Sequence, residues 1–255
     1  MPFDKELSVA RDAVAAAADI ALRMQPGIVA EAKEDLSPVT MADRECERAV
    51  TAILRSEFPE DGVLGEEGAA VESRSGRRWI IDPIDGTRDF VRGNWLWANL
   101  LALEDNGEVV VGVVNLPVLK TTCWASRGGG AFRDGRPMRL SDKQSVGDSV
   151  VCLNAWDKLA KRPFRDGLID WLARFWAVRG LGGAADAMML CDGQAEVWIE
   201  PDAKPWDFAP LKIIALEAGA CYFTLDGGDS IYAGSGVITT PALRAEAEAF
   251  LVRQS

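Results

Sequence analysis

The sequence predicts an α/β protein in which two layered sheets pack against helices, and two patterns lead to this fold class. Strand-like runs separated by turns fill the middle of the chain, which is typical of an antiparallel meander. Strand-like and helix-like runs then alternate through the second half. We therefore predict an α+β half with the meander over residues 1–140 and an α/β half over residues 141–255.

Two helices open the predicted fold. Apolar residues recur at helical spacing from about Asp4 to Met24, and Pro26-Gly27 ends that helix. Thr40 is a favourable N-cap for a second helix, which runs from Met41 to about Ser56. The segment Lys33–Pro38 between the two helices is predicted to be a loop.

The remaining elements are strands and helices separated by turn residues. The first half has a short strand at Val63–Gly65, then strands at Arg77–Asp82, Leu96–Leu103, Val109–Val114 and Thr121–Ala125. The second half has strands at Val150–Leu153, Val197–Glu200, Cys221–Leu225 and Gly236–Thr239, with helices at Phe164–Phe175, Ala184–Cys191, Trp206–Ala218 and from Pro241.

Composition narrows the function classes. The 39 acidic residues outnumber the 28 basic ones and give a formal charge of −11, which argues against nucleic acid and anionic membrane as partners. The longest apolar stretch, Val109–Leu119, is too short to span a bilayer. Five scattered cysteines without a Cys-x-x-Cys pair predict neither a zinc site nor a disulfide framework, and favour a reducing compartment. With no signal peptide pattern at the N-terminus, we expect a cytoplasmic protein.

The chain has no histidine. This excludes a histidine general base, a Ser-His-Asp triad, a phosphohistidine and an imidazole zinc ligand. Catalysis must then depend on carboxylates, hydroxyls, amines, thiols or a hard metal ion.

Four acidic sites lie where a predicted element begins or ends. Glu66-Glu67 follow a short strand, Asp82 and Asp85 follow an apolar strand, and Asp207 lies in the first turn of a helix. Strand C-termini and helix N-termini line one crevice in α/β folds, so these carboxylates can converge. Their mutual repulsion requires cations, and an oxygen ligand set selects Mg²⁺, Mn²⁺ or Ca²⁺.

The spacing of Asp82 and Asp85 suits a pair of metal ions of the kind used in phosphoryl hydrolysis. Gly86-Thr87 follow at a predicted helix start, where backbone N–H groups can point at an anion. Together these features predict a site for a phosphate monoester. Structural interpretations stay open at three acidic positions, each taken alone. They are a solvated turn for Glu66-Glu67, a helix-dipole partner for Asp207 and a capping box for Asp43.

The string from Trp79 to Phe90 resembles the signature of the inositol monophosphatase superfamily, the Mg²⁺-dependent, lithium-sensitive phosphatases. Three further motifs resemble the same family in the same order. They are Ser37–Asp43, Leu64–Glu67, and Trp206-Asp207 followed by Glu217-Ala218-Gly219. The resemblance covers about residues 30–225 and implies a layered αβαβα sandwich of the sugar-phosphatase type, usually as a homodimer.

The resemblance implies two or three Mg²⁺ ions per site, with Mn²⁺ as a substitute and Li⁺ as an inhibitor. By position, the ligands are Glu66, Asp82 and the carbonyl of Ile84 for the first metal, and Asp82, Asp85 and Asp207 for the second.

The catalytic pair implied by the resemblance is Thr87 and Asp43. Thr87, hydrogen-bonded to Asp43, would orient and deprotonate a metal-activated water for in-line attack on phosphorus. The backbone N–H groups of Gly86 and Thr87 would hold the phosphate oxygens. The expected partner is therefore a small-molecule phosphate monoester.

Three positions bear on which monoester is used. Glu200 stands where inositol phosphatases bind ring hydroxyls with a glutamate. Gly183 replaces the Thr or Ser of inositol enzymes and the Asp of histidinol-phosphate enzymes. Asp186 could take over recognition of an amine, or could serve as a helix N-terminal residue.

Local strings such as Val113–Lys120 resemble the histidinol-phosphate phosphatase branch, which we favour slightly. Hydrolysis of inositol 1-phosphate is the first alternative, and a non-catalytic, partner-binding member of the family is the second. The Arg88-Asp89 pair departs from the usual family pattern beside the predicted site.

Overall fold

The computed structural model describes residues 3–33 and 38–252. Most of the predicted loop Lys33–Pro38 therefore lies outside the described residues, as does Ser37 of the motif that ends at Asp43.

The described residues contain eight α-helices and fifteen strands. The helices are α1 Asp4–Met24, α2 Met41–Glu57, α3 Thr87–Val91, α4 Trp156–Leu159, α5 Arg165–Leu172, α6 Gly183–Cys191, α7 Pro205–Glu217 and α8 Arg244–Leu251. The strands are β1 Glu31–Ala32, β2 Pro38–Val39, β3 Gly62–Gly65, β4 Ala70–Val71, β5 Arg77–Asp85, β6 Ala98–Asp105, β7 Glu108–Leu116, β8 Thr121–Ser126, β9 Gly130–Arg133, β10 Arg136–Pro137, β11 Val150–Leu153, β12 Ala177–Arg179, β13 Val197–Glu200, β14 Cys221–Phe223 and β15 Gly236–Thr239.

Two sheets carry the architecture. The large sheet has the order β10-β9-β8-β7-β6-β5-β3-β4, and the small sheet has the order β12-β11-β13-β15-β14. From β5 to β10 each strand pairs antiparallel with the next along the chain, while β3 runs parallel to β5. The small sheet is mixed, with β11 parallel to both β12 and β13.

The outer face of the large sheet is covered by α1 and α2. Alanines and Val14 at helical spacing are buried along α1, because their small side chains let the helix lie close to the sheet. Thr40 caps α2, accepting hydrogen bonds from the backbone N–H groups of Ala42 and Asp43. Both helices share a core with Trp79 and other side chains on that face of the sheet.

The middle layer consists of α6 and α7, which lie between the two sheets and share one core with both. At Gly112 of β7 an added Cβ would lie 2.4 Å from a side-chain carbon of Ile213 on α7. Only a glycine allows this close approach, and the contact fixes the height of α7 above the large sheet.

The far face of the small sheet is covered by α5 and α8. Trp171 on α5 stacks on Phe250 of α8 with ring centroids 4.6 Å apart. The layers therefore run helix, sheet, helix, sheet, helix, and the predicted αβαβα sandwich is confirmed.

Strand β5 departs from the prediction in a way that matters for the site. It was expected to end at Asp82, but it continues to Asp85 with a shift of register between the two aspartates. The short strands β9, β10 and β12 were not predicted. All strands of the large sheet lie before residue 138, yet α6 and α7 of the second half pack on that sheet. The predicted boundary between two halves at residue 140 therefore stays a prediction.

Within residues 3–33 and 38–252, no helix is both long enough and apolar enough to cross a bilayer.

Candidate active site

A cleft of about 700 Å³ opens where the end of β5 meets the first turns of α6 and α7. Of the predicted site residues, Glu66, Asp85, Gly183, Glu200 and Asp207 line it. The cleft is also lined by four basic side chains, those of Lys33, Arg88, Lys158 and Lys204.

Asp82 lies on the same side of the sheet as the cleft because of the alternation of side chains along β5. Trp79 and Ile81 belong to the core under α1 and α2, whereas Ile80 belongs to the core of the middle layer. Asp82 has the same parity as Ile80, so it faces the layer that contains α7. The register shift after Asp82 then lets Asp85, three residues later, share the same side as Asp82.

Three aspartates from distant parts of the chain converge here. Single carboxylate oxygens of Asp82, Asp85 and Asp207 all lie within 4.8 Å of one another. Asp207 also accepts the backbone N–H of Lys204 at 2.6 Å, so it serves the start of α7 and the cluster together. Asp207 therefore occupies the helix start and also lies in the cluster, and its role as a metal ligand stays a prediction.

The aspartate cluster is electrostatically unbalanced. Burial, followed by repulsion from Glu66, Asp207 and Asp85, raises the pKa of Asp82 well above its usual value. Burial is also the main cause that raises the pKa of Asp85 to about 6 and of Asp207 to about 7. Within the described part of the chain, no lysine or arginine forms an ion pair with any of the three.

One oxygen of the cluster, Oδ1 of Asp82, is buried and has no hydrogen-bond partner. A buried carboxylate oxygen without a donor is costly unless a cation binds it. The donor set consists of carboxylates alone, which suits Mg²⁺ or Mn²⁺. The residues present therefore fit the hard divalent cation that the motifs imply.

Glu66 lies beside the cluster, since it lines the same cleft as Asp85 and Asp207 and its charge is one of the causes that raise the pKa of Asp82. Lys33 donates to Glu66 at 2.7 Å and to Glu67 at 2.6 Å. Burial lowers the pKa of Lys33, but its bonds to the two glutamates outweigh burial and raise it overall. In this arrangement one ammonium group offsets part of the charge of the two glutamates at the edge of the cleft. Sequence reasoning gave Lys33 no role in the site, although it opens a loop beside the Asp43 motif.

The predicted pair Thr87 and Asp43 is also brought together. The hydroxyl of Thr87 lies 3.4 Å from Oδ1 of Asp43 and 3.2 Å from the carbonyl oxygen of Ile84. The other oxygen of Asp43, Oδ2, accepts the backbone N–H and the hydroxyl of Thr40. Asp43 thus completes the capping box and still presents one oxygen to Thr87.

Gly86 holds the turn that connects β5 to α3. Its φ of 82° lies in the left-handed region, and an added Cβ would lie 3.1 Å from the carbonyl oxygen of Leu96. This turn places the backbone of Gly86 and Thr87 directly after Asp85, at the start of α3.

Two of the three predicted substrate positions line the cleft. A Cβ on Gly183 would lie 3.7 Å from both carboxylate oxygens of Asp85, so this position borders the cluster directly. Glu200 lies half-buried at the end of β13, and burial, together with repulsion from Asp207 and Asp85, raises its pKa to about 8. Glu200 forms no ion pair among the described residues.

Asp186 does not reach the cleft, and the expected contact with a substrate amine is not supported by its position. Its side chain is fully buried and accepts the backbone N–H groups of Leu181 and Gly182. It therefore holds the start of α6, where the N–H of Ala184 donates to Asp85 at 3.2 Å. The alternative interpretation, a residue of the helix N-terminus, fits the structure.

Comparison with known proteins gives a consistent picture. A model of the inositol monophosphatase family matches residues 4–254. The chain is 41% identical over 224 residues to a histidinol-phosphatase of Mycobacterium tuberculosis, which is 85% of each chain. It is 38% identical over 207 residues to the histidinol-phosphatase of Chlorobaculum parvum, which is 81% of this chain and 80% of that one.

Inositol enzymes are also similar. An inositol-1-monophosphatase of Mesorhizobium japonicum is 34% identical over 218 residues, which is 81% of this chain and 82% of that protein. Among solved structures, the extragenic suppressor protein SuhB of Bartonella henselae superposes with a TM-score of 0.91 at 26% identity, over 98% of this chain and 99% of that one.

Proposed function

The chain belongs to the inositol monophosphatase family and is a phosphatase, and we propose that it is a Mg²⁺-dependent hydrolase of histidinol phosphate. The observation that carries the metal dependence is the cluster of Asp82, Asp85 and Asp207, whose charge no side chain of the described residues balances. A protein that buries such a cluster needs an external cation to stabilise it.

The residues that would hold Mg²⁺ are Glu66, Asp82, the carbonyl of Ile84, Asp85 and Asp207. When bound, the cations would lower the pKa of water and stabilise the negative charge on the leaving oxygen. The same sites would accept Mn²⁺ in place of Mg²⁺, and Li⁺ would inhibit.

The proton of the attacking water would leave through Thr87 and Asp43. Oδ1 of Asp43 lies 3.4 Å from the Thr87 hydroxyl and would accept its proton in place of the Ile84 carbonyl oxygen, which would free the oxygen of Thr87 to take a proton from water. Burial raises the pKa of Asp43 above its usual value, which makes it a better proton acceptor than an exposed aspartate. The buried bonds to Thr40 hold this carboxylate in one orientation.

The phosphate would be held by the backbone N–H groups of Gly86 and Thr87 at the start of α3. Arg88 and Lys204 line the same cleft and would offset the charge of a phosphate as it enters. Thus the site combines carboxylates for cations with amide and basic groups for the anion.

The preference for histidinol phosphate is supported by Glu200 as well as by the similarity to histidinol-phosphatases. Glu200 lines the cleft without a cation of its own, and its raised pKa of about 8 would fall on contact with a positive charge. The leaving group of histidinol phosphate carries an ammonium group, whereas inositol carries none. Gly183 leaves space beside Asp85 for such a leaving group.

A phosphate-release assay with Mg²⁺ over histidinol phosphate, inositol 1-phosphate and fructose 1,6-bisphosphate tests this proposal. We expect the highest kcat/KM for histidinol phosphate. A higher kcat/KM for inositol 1-phosphate would favour the second candidate, which the Mesorhizobium relative supports. If Mg²⁺ or Mn²⁺ sustains hydrolysis of none of the three, the proposed activity is wrong.

The variant Glu200→Gln separates the two substrates further. It should raise KM for histidinol phosphate more than KM for inositol 1-phosphate, because glutamine keeps an acceptor oxygen for ring hydroxyls but loses the negative charge that an ammonium group needs. Asp202→Asn is a matched control, since Asp202 is already paired with Lys158 at 3.0 Å.

We further infer a homodimer in the cytoplasm. All five cysteines are free thiols and four of them are buried, which favours a reducing compartment. Sedimentation equilibrium would measure the oligomeric state directly.

A further inference from the structure

A buried carboxylate outside the cleft holds the loop that carries Glu66. Glu47 lies on α2 one turn after Asp43, and its side chain is buried. Its Oε2 accepts the backbone N–H of Glu67 and its Oε1 accepts that of Ala69, each at 2.8 Å. A carboxylate that receives two backbone N–H groups is fixed in orientation and fixes its donors in turn.

The residue before Glu66 is shaped for this contact. A Cβ added at Gly65 would lie 2.2 Å from Oε2 of Glu47, which no real side chain tolerates. Any residue other than glycine would therefore displace the carboxylate of Glu47. A contact with a distant residue thus explains why glycine precedes Glu66, since the carboxylate of Glu47 lies directly against the backbone of Gly65.

Glu66 is enclosed between fixed neighbours. Its own N–H donates to the carbonyl of Ile81 on β5 at 3.1 Å, and Gly65 donates to the carbonyl of Ala69 at 2.7 Å. Glu47 adds the bonds to Glu67 and Ala69 on the other side of the turn. With these bonds in place, the side chain of Glu66 lines the cleft together with Asp85 and Asp207 of the cluster.

We propose that Glu47 is a positioning residue that sets the affinity for Mg²⁺ by holding Glu66 at the cluster. Glu47 touches neither the cleft nor the phosphate, and acts through the backbone of residues 67–69. One helix, α2, then orients two parts of the site, since Asp43 and Glu47 lie one turn apart. This inference rests on the proposed function, because it takes Glu66 as a ligand of the cation.

Glu47→Gln tests the proposal. The substitution replaces one acceptor oxygen by an amide NH₂ that faces a backbone N–H, so one of the two bonds is lost. We expect the Kd for Mg²⁺, measured by isothermal titration calorimetry without substrate, to rise about tenfold or more, as for other residues that orient metal ligands. The kcat at saturating Mg²⁺ should stay close to that of the wild type.

The chain offers a matched control at Glu217. Its two carboxylate oxygens accept the N–H groups of Gly128 and Gly130, each at 2.8 Å, at a hairpin whose residues do not line the cleft. Glu217→Gln should lower thermal stability as Glu47→Gln does, and should leave the Kd for Mg²⁺ unchanged. Gly65→Ala is the second test, because its Cβ displaces the carboxylate of Glu47 and should also raise the Kd.

An unchanged Kd in Glu47→Gln would overturn the proposal, and if that variant does not fold, an unchanged Kd in Gly65→Ala would do the same. An equal rise in Glu217→Gln would assign the effect to lost stability and would also overturn it. If the wild-type protein binds no Mg²⁺ in the same titration, the proposed function is wrong, and the inference about Glu47 is wrong with it.

Discussion

Carboxylates lie at both ends of β5, and the two ends differ in how the negative charge is balanced. Where β5 begins, Asp61 packs against Arg77 of the strand. Where it ends, Asp82 and Asp85 face Asp207 with no lysine or arginine of the described residues in an ion pair with them. At the beginning of β5 an arginine balances the carboxylate, whereas at its end no basic side chain of the described residues does so.

The contact at the beginning of β5 is complete in hydrogen bonds as well as in charge. Asp61 is 6% exposed and accepts from Ser75 at 2.7 Å, from the guanidinium of Arg77 at 2.8 Å and from the indole of Trp79 at 3.1 Å. Glu6 on α1 adds a second carboxylate partner for Arg77. A buried carboxylate of this kind serves folding, and it needs nothing from solvent.

The comparison teaches that burial of acidic residues does not by itself identify a functional site. What distinguishes the end of β5 is the missing countercharge and the unpartnered oxygen of Asp82.

The largest contrast is expected in activity. Asp85→Asn should lower turnover by at least about 100-fold and raise the Mg²⁺ requirement, because a ligand charge is lost. Asp61→Asn should retain the wild-type kcat at temperatures where it is folded. Steady-state phosphate release across a Mg²⁺ titration measures both. A fully active Asp85→Asn with unchanged Mg²⁺ dependence would remove Asp85 from the metal site.

Stability should change in opposite directions. Asp61→Asn should lower the free energy of unfolding by about 1–3 kcal/mol, since it leaves the partly exposed Arg77 with one carboxylate acceptor fewer. Without Mg²⁺ at pH 8, Asp85→Asn should be as stable as the wild type or more so, because it relieves repulsion within the cluster. Urea unfolding in the presence of a chelator measures both values, and equal losses of stability would show that the two ends are equivalent.

The smallest contrast is in pH dependence. The pKa of Asp85 is raised to about 6 and that of Asp207 to about 7, above the ordinary aspartate value near 4 that applies in the unfolded chain. A carboxyl group whose pKa is higher in the folded state binds its proton more tightly there, so protonation stabilises the fold. The metal-free protein should therefore lose stability as pH rises from 5 to 8. We expect the Tm to fall by roughly 2–4 °C for each 1 kcal/mol lost.

Mg²⁺ is the control for this pH experiment. Because the cation binds the ionised carboxylates, it should stabilise the protein more at pH 8 than at pH 5 and flatten the profile of Tm against pH. A metal-free Tm that is constant or rises over this range would contradict the charge imbalance described for the cluster.

The sequence predicts much of the fold and of the site, because several site residues are neighbours in the chain and the elements around them have clear periodicity. Asp82, Asp85 and Gly86-Thr87 lie next to each other in the chain, and the helices and strands around them have clear periodicity. The αβαβα fold was predicted from the family resemblance and is confirmed.

Three features could not be read because they depend on distances between remote segments. For Asp186 the sequence left open a substrate contact or a place at the helix N-terminus, because the direction of a side chain in the first turn of a helix depends on how that helix is placed. Glu47 was overlooked because its partners lie 20 and 22 residues away. The end of β5 was placed at Asp82, since a proline normally ends a strand and nothing local predicts a shifted register.

The most direct test of the central claim is to locate the cations. Crystals of the wild-type protein grown with Mn²⁺ would show its anomalous scattering. We predict anomalous density between the carboxylates of Asp82, Asp85 and Asp207, with none beside Asp61. Absence of density at the three aspartates under saturating Mn²⁺, or equal density at Asp61, would contradict the claim that only this end of β5 is built for a cation.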